Sequence, residues 1–79
     1  MKNIKVAIIM GSESDAEEMK HASDTLNQLK ISNEMVVISA HRTPDRLRNY
    51  CLNAEKRRIK VIIAGAGGAA ALPGCIAAY

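Results

Sequence analysis

Three short apolar runs, separated by two longer stretches of mixed polarity, set the pattern of this chain. The runs cover residues 4–10, about 34–38 and 60–64. Short and nearly continuous apolar runs are typical of parallel strands that are covered on both faces. We therefore predict three buried parallel strands at these positions.

The stretch between the first two runs has the period of a helix with one buried face. Its apolar residues recur at intervals of three and four. They are Met19, Ala22, Leu26 and Leu29. The helix should begin at Ala16, where Ser14 and Glu17 have the spacing of a capping box.

A threonine and a proline mark the start of the second predicted helix. Thr43 offers a hydroxyl for the N-cap, and Pro44 suits the first helical position because its missing N–H is not needed there. The helix should run from about Pro44 to Arg57. Its inward-facing residues should be Leu47, Tyr50, Cys51 and Ala54. A third helix should start at about Leu72, after the third strand.

The alternation of strands and helices predicts an α/β fold with a parallel sheet and right-handed crossovers. No linker, repeat or low-complexity segment divides the sequence, so residues 1–79 should form a single α/β domain. Three strands are few for such a sheet. We therefore expect part of a larger domain, seen as an incomplete βαβαβα portion.

Each predicted strand is followed by a segment suited to binding. These segments are residues 11–15, 39–44 and 65–71. Loops that follow parallel strands share one edge of the sheet, and ligands of such sheets bind there. The three segments should therefore converge on one site.

His41 and Arg42 lie in the predicted turn before the second helix. The free N–H groups of a helix start favour an anion, and Arg42 could hold a phosphate with two parallel hydrogen bonds. The alternative for Arg42 is a surface ion pair. His41 would act as a general acid and base, because no serine or cysteine nucleophile is evident beside it. His21, off the apolar face of the first helix, should be a surface residue.

Ser12, Ser14 and Asp15 could bind a sugar phosphate, with hydroxyls for the phosphate and a carboxylate for ribose hydroxyls. Helix capping alone is the alternative, above all for Ser14. Gly67, Gly68 and Ala69 belong to a loop almost without side chains. Its backbone could lie against a flat ring or a phosphate, or its small residues could allow close packing of helix on sheet.

The composition argues against several classes of partner. The net charge is +3, and a basic cluster of Lys56, Arg57, Arg58 and Lys60 falls where the second helix should end. Cations suit a helix C-terminus, and the aromatic residues that stack on bases are almost absent, so we expect no nucleic acid.

The sequence also gives no sign of a membrane or a metal. No apolar run approaches membrane-spanning length and no signal-peptide core is seen, which predicts a cytoplasmic protein. Cys51 and Cys75 lack a metal or redox spacing and should be reduced thiols. His41, Asp15 and Asp45 do not form a recognised metal-ligand pattern.

Taken together, three segments give the chain a specific resemblance to the bacterial PurE family, the N5-carboxyaminoimidazole ribonucleotide mutases of purine biosynthesis. They read Met-Gly-Ser-Glu-Ser-Asp at 10–15, Ser-Ala-His-Arg-Thr-Pro at 39–44 and Ala-Gly-Ala-Gly-Gly-Ala-Ala-Ala-Leu-Pro-Gly at 64–74. They occur in the family's order with compatible spacing. The resemblance spans the whole chain and about the first half of the family's domain.

The resemblance implies a flavodoxin-like three-layer sandwich that assembles as a homo-octamer. Its reaction moves a carboxylate from the exocyclic amine of a ribonucleotide to ring carbon four, without metal, ATP or organic cofactor. By resemblance, Ser12, Asp15 and Arg42 hold the ribose phosphate, Ser14 and Ser39 assist, and His41 transfers the proton. We add the hypothesis that the loop with Gly67, Gly68 and Ala69 holds released carbon dioxide.

One position departs from the family pattern: Ala71 stands where the glycine-rich loop usually has a histidine before Leu-Pro-Gly. Other functions stay open beside the mutase. They are a carboxylase that uses free carbon dioxide, a non-catalytic nucleotide-binding or assembly fragment, and a Rossmann-type oxidoreductase.

Overall fold

The computed structural model describes residues 3–39, 42–65 and 71–78, without the side chains of 71, 73 and 75. Its strands are β1 (Val6–Met10), β2 (Asn33–Val37) and β3 (Val61–Gly65). A short 3-10 turn (Glu13–Asp15) precedes α1 (Ala16–Gln28), and the other helices are α2 (Pro44–Lys56) and α3 (Ala71–Ala78). The predicted α/β fold is confirmed, with element ends shifted by one or two residues. Three parallel strands joined by helices are consistent with a flavodoxin-like arrangement.

The sheet has the order β2-β1-β3, and both pairings are parallel. Met10, the last residue of β1, lies opposite Val37 of β2 and Gly65 of β3. The carboxyl ends of all three strands are therefore level. Because all three strands are parallel, the segments that follow them start at the same edge of the sheet.

The core is built around β1, whose five residues are all buried. Ile8 and Ile9 have no exposed surface, and each such side chain contributes roughly 1.5–3 kcal/mol to folding. One buried cluster joins Ile9 to residues of the other elements. It comprises Ile9, Ile38, Leu47, Cys51 and Leu72.

The inward face predicted for α2 is confirmed. Leu47, Cys51 and Ala54 are buried, and Tyr50 is half-buried against the core. Burial raises the pKa of the Cys51 thiol, which suits a structural role.

Gly65 shows why a small residue ends β3. A Cβ atom at this position would lie 2.4 Å from the Sδ atom of Met19 on α1. The missing side chain lets α1 pack closely over the end of the strand.

Two details of α1 differ from the prediction. Leu29 is 63% exposed, because the helix ends at Gln28 and the chain there turns towards β2. The capping box is also wrong: the 3-10 turn makes Asp15 the N-cap residue, and α1 has no side-chain capping bond at its start.

Helices α1 and α2 both end in a tight turn with a residue of positive φ. Lys30 and Arg58 have φ values of 59° and 60°. After α1, the N–H of Ile31 donates to the Leu26 carbonyl at 2.9 Å and that of Lys30 to the Asn27 carbonyl at 3.0 Å. This is the Schellman pattern, whose left-handed residue is most often glycine.

A charged cluster fastens β2 to α2. Glu34 on β2 accepts hydrogen bonds from both terminal nitrogens of Arg57, at 2.6 and 3.0 Å, and from the Tyr50 hydroxyl. The guanidinium of Arg57, and the Tyr50 hydroxyl as a second donor, lower the pKa of Glu34 against the opposing effect of its partial burial. Burial and the neighbouring carboxylate together raise the pKa of Tyr50.

Replacing Lys30 by glycine should stabilise the protein. Glycine adopts positive φ without the Cβ conflict, so Lys30→Gly should raise the free energy of unfolding by about 1 kcal/mol. Lys20→Gly is the control within α1, and it should lower that free energy by about 1 kcal/mol. Urea unfolding followed by circular dichroism measures both. Equal destabilisation by the two variants would contradict the role assigned to the turn.

The Glu34 cluster should make stability depend on acid pH. Because folding lowers the pKa of Glu34, its stabilising effect is full above the unfolded-state pKa and is lost as the pH falls through the folded-state value. Between pH 7 and pH 3 the parent protein should therefore lose about 1 kcal/mol more stability than Glu34→Gln, a small value for a partly exposed pair. Denaturant titrations at several pH values measure this difference. Glu55→Gln, at an exposed glutamate of α2 outside the cluster, should behave like the parent.

Candidate active site

A cleft of about 590 Å³ lies at the carboxyl edge of the sheet. Its lining residues come from the segment after β1 and from the end of β2 through the start of α2. They are Gly11, Ser12, Glu13, Val37, Ser39, Arg42, Thr43 and Arg46. The predicted convergence of residues 11–15 with 39–44 is thus confirmed. Most of the third segment, residues 66–70, lies outside the described residues.

The first wall of the cleft carries a chain of hydroxyl groups. Ser12 Oγ donates to Asp15 Oδ2 at 3.3 Å and lies 2.6 Å from Ser14 Oγ. A hydroxyl has only one hydrogen, so when Ser12 donates to Asp15 the Ser14 hydroxyl must donate to Ser12. Ser12 lines the cleft, and Ser14 and Asp15 adjoin it through these bonds. An entering anion could redirect these hydroxyl hydrogens towards itself.

The second wall is a turn braced by Ser39. The Ser39 hydroxyl oxygen accepts the N–H of Arg42 at 3.0 Å. The Ser39 carbonyl accepts both the N–H and the hydroxyl of Thr43, at 2.9 and 3.0 Å. Thr43 is the N-cap residue of α2, as predicted, but its hydroxyl closes this turn and makes no capping bond to the helix. The bonds hold the backbone of Arg42 in place at the helix start.

The charges of the cleft favour an anion at the α2 end. Arg42 and Arg46 both line it, beside the N-terminus of α2 and opposite the carboxylate-bearing segment of Glu13. Sequence analysis did not single out Arg46 or Glu13. The available signal for Arg46 was its position four residues after Arg42, which is about one helical turn.

Several predicted residues fall elsewhere. His41, Gly67, Gly68 and Ala69 lie outside the described residues, and Ala71 is the first residue of α3. His21 is exposed on α1, as predicted. Within the described ranges, no three histidine, cysteine or acidic residues group as metal ligands, and no helix is long and apolar enough to span a bilayer.

Comparison with known proteins finds the family that the segments at 10–15, 39–44 and 64–74 resemble. A family model described as AIR carboxylase matches residues 5–79. The chain is 61% identical over 74 residues to the N5-carboxyaminoimidazole ribonucleotide mutase of Pyrococcus abyssi, covering 94% of this chain and 42% of that protein. The mutase of Bacillus subtilis is 62% identical over 73 residues, with coverages of 92% and 45%.

A eukaryotic relative has a different printed name. The phosphoribosylaminoimidazole carboxylase of Schizosaccharomyces pombe is 55% identical over 73 residues, which are 92% of this chain and 13% of that protein. The chain thus spans a little under half the length of the two mutases and a small part of the carboxylase.

Arg42 should be the main anion-binding side chain of the cleft. Arg42→Gln should weaken the binding of ribose 5-phosphate about tenfold, because a charged hydrogen bond to phosphate is lost. Arg46→Gln should weaken binding less, since Arg46 lies one turn into α2. Isothermal titration calorimetry at low salt measures both. Arg48→Gln, at an exposed α2 position outside the lining, is the matched control, and an equal effect there would show that only net charge matters.

Proposed function

This chain belongs to the AIR carboxylase family, and on that premise we propose that it acts in purine biosynthesis as an isomerase of the mutase type. The substrate would be N5-carboxyaminoimidazole ribonucleotide and the product 4-carboxy-5-aminoimidazole ribonucleotide. Identities of about 60% to proteins named as this mutase support the proposal. The activity proposed is that of the whole protein, and the chain spans a little under half the length of these relatives.

The observation that carries the proposal is the cleft at the carboxyl edge of the sheet. It combines an arginine at a helix start with a hydroxyl chain that ends on a carboxylate. A ribose phosphate needs both kinds of group: cations and N–H groups for the phosphate, and hydrogen-bond acceptors for the sugar hydroxyls.

Each group in the cleft then has a role in binding. Arg42 and the hydroxyl of Ser12 hold the phosphate, and Asp15 accepts hydrogen bonds from the ribose. Ser14 assists through its bond to Ser12. Ser39 assists twice, because its oxygen fixes the Arg42 backbone while its hydroxyl hydrogen stays available to the ligand.

His41 is the proposed proton carrier. Its protonated form gives a proton to the exocyclic nitrogen as the bond from that nitrogen to the carboxylate carbon breaks, which releases carbon dioxide and a neutral amine. Ring carbon four attacks the carbon dioxide and forms the new carbon–carbon bond. Neutral His41 then removes the proton from that ring carbon, which restores the ring and the starting state of the histidine. Gly67, Gly68 and Ala69 hold the carbon dioxide between the two steps.

Further parts of the proposal concern the whole protein. It acts in the cytoplasm as a homo-octamer, and it uses only its own side chains for the reaction. Ala71 replaces the usual histidine of the family loop, so binding of the transferred carboxylate depends on the backbone and on His41.

A carboxylase is the second candidate function, because the family model and the fission yeast relative both carry that name. Such an enzyme would add free carbon dioxide to aminoimidazole ribonucleotide. The two reactions differ in their first substrate and in their need for bicarbonate.

Replacing His41 by asparagine should abolish turnover and leave binding intact. Asparagine can keep a hydrogen bond but cannot carry a proton, so kcat should fall by at least a hundredfold while the product's dissociation constant changes less than threefold. Absorbance of the product measures turnover, and calorimetry measures binding. His21→Asn, at the exposed histidine of α1, should leave both unchanged.

The same assay separates the other functions. Turnover without bicarbonate supports the mutase, and turnover that requires bicarbonate and aminoimidazole ribonucleotide supports the carboxylase. Turnover retained in His41→Asn would contradict the proposed role of His41 as the proton carrier. Binding by the parent protein without any conversion would instead support a non-catalytic nucleotide-binding module.

A further inference from the structure

A second cleft, of about 470 Å³, lies at the opposite, amino edge of the sheet. Among the described residues, the lining is mostly cationic and includes no acidic side chain. The lining residues are Asn3, Ile4, Lys5, Lys56, Arg57, Arg58 and Lys60. In the part of the chain that the structure describes, this cleft shares no lining residue with the cleft at the carboxyl edge.

The cations of this cleft come from two segments of the chain, residues 3–5 and 56–60. Lys5 precedes β1 and Lys60 precedes β3, and the Lys60 N–H donates to the Lys5 carbonyl at 2.9 Å. Arg58 follows α2, where its N–H donates to the Glu55 carbonyl at 3.1 Å. The bond between Lys60 and Lys5 joins the two segments, and the bond between Arg58 and Glu55 turns the chain at the end of α2. The long side chains then gather around one concave surface.

A favourable helix terminus explains only part of this cluster. Lys56 and Arg58 lie at the C-terminus of α2, where cations interact well with the helix dipole. Lys5 and Lys60 belong to neighbouring strand starts, where like charges side by side are destabilising. Their presence in one cleft is thus unexplained by the helix.

The cluster also lacks carboxylate partners. Across the described part of the chain, the recorded ion pair is that of Arg57 with Glu34. The other four cations of the lining have no carboxylate oxygen within 4 Å among those residues. A ligand with several negative charges would relieve their mutual repulsion.

From this geometry we propose that the amino-edge cleft binds a small polyphosphate anion, either free or as the phosphate chain of a nucleotide. Its volume suits a small molecule. A row of phosphates matches five cations spread over two segments better than one orthophosphate does. The lining residues that the structure describes include no aromatic side chain to stack on bases, which disfavours single-stranded nucleic acid.

Calorimetric titration of the 79-residue chain with inorganic tripolyphosphate tests the proposal. We expect saturable binding at 50 mM salt, at least tenfold tighter than that of orthophosphate and weaker at 200 mM salt. Lys5→Gln and Lys60→Gln should each weaken it about threefold, and the double variant about tenfold. Both lysines are exposed, so we expect the variants to fold, and thermal unfolding is the measurement that checks this.

Two matched variants locate the bound anion. Lys20→Gln, on α1 away from the cleft, and Arg48→Gln, at an exposed α2 position that lines neither cleft, should leave tripolyphosphate binding unchanged. ATP that binds with the same dependence on Lys5 and Lys60 identifies a nucleotide's phosphate chain as the ligand, whereas binding of tripolyphosphate alone identifies the free anion.

Three results would overturn the proposal. One is tripolyphosphate binding no tighter than that of orthophosphate. Another is that Arg42→Gln loses tripolyphosphate binding while the two lysine variants bind it as tightly as the parent protein. The third is tighter binding of a single-stranded oligonucleotide than of tripolyphosphate, which would assign the surface to nucleic acid.

Discussion

The burial of β1 between two parallel neighbours is the constraint on which the remaining structure depends. Strands β2 and β3 cover the two edges of β1, while α1 packs against it and Ile9 joins a buried cluster with residues of α2 and α3, so all five of its residues are buried. The same pairings align Met10 with Val37 and Gly65. The register that completes the core therefore also sets the height at which each binding segment begins. Packing and function share one geometric cause.

Much of this fold follows from local patterns. Continuous apolar runs predict the strands, and the helical period alone predicts that Leu47, Cys51 and Ala54 face inward. The cluster around Glu34 cannot be predicted in this way, because Tyr50 and Arg57 lie 16 and 23 residues from Glu34 in the chain. The periodicity also failed at Leu29, where the helix had already ended. Local signals describe the interior of an element better than its ends.

For the candidate site, the sequence predicts the location but not the hydrogen bonds. Its place at the carboxyl edge follows from parallel topology, so Ser12, Ser39 and Arg42 were found from the sequence. The hydrogen bonds that organise them do not follow from the sequence: the spacing of Ser14 and Glu17 predicts a capping box, and Ser14 bonds to Ser12 instead. A short hydroxyl side chain can reach several partners at similar distance, and only the backbone path decides among them. The path here includes a 3-10 turn that the sequence does not signal.

The order of the strands also governs how the protein is made. β1 is synthesised first, yet Val6 pairs with residues that follow it by 27 positions in β2 and 55 in β3. At a ribosomal rate of about 5–20 residues per second, β1 waits roughly 3–11 seconds for its second neighbour. Until β3 is made, these five consecutive apolar residues lack a pairing strand along one edge. The strand that is most buried in the folded protein therefore waits longest for its partner strands during synthesis. It is the segment whose exposed apolar residues a chaperone would most need to cover.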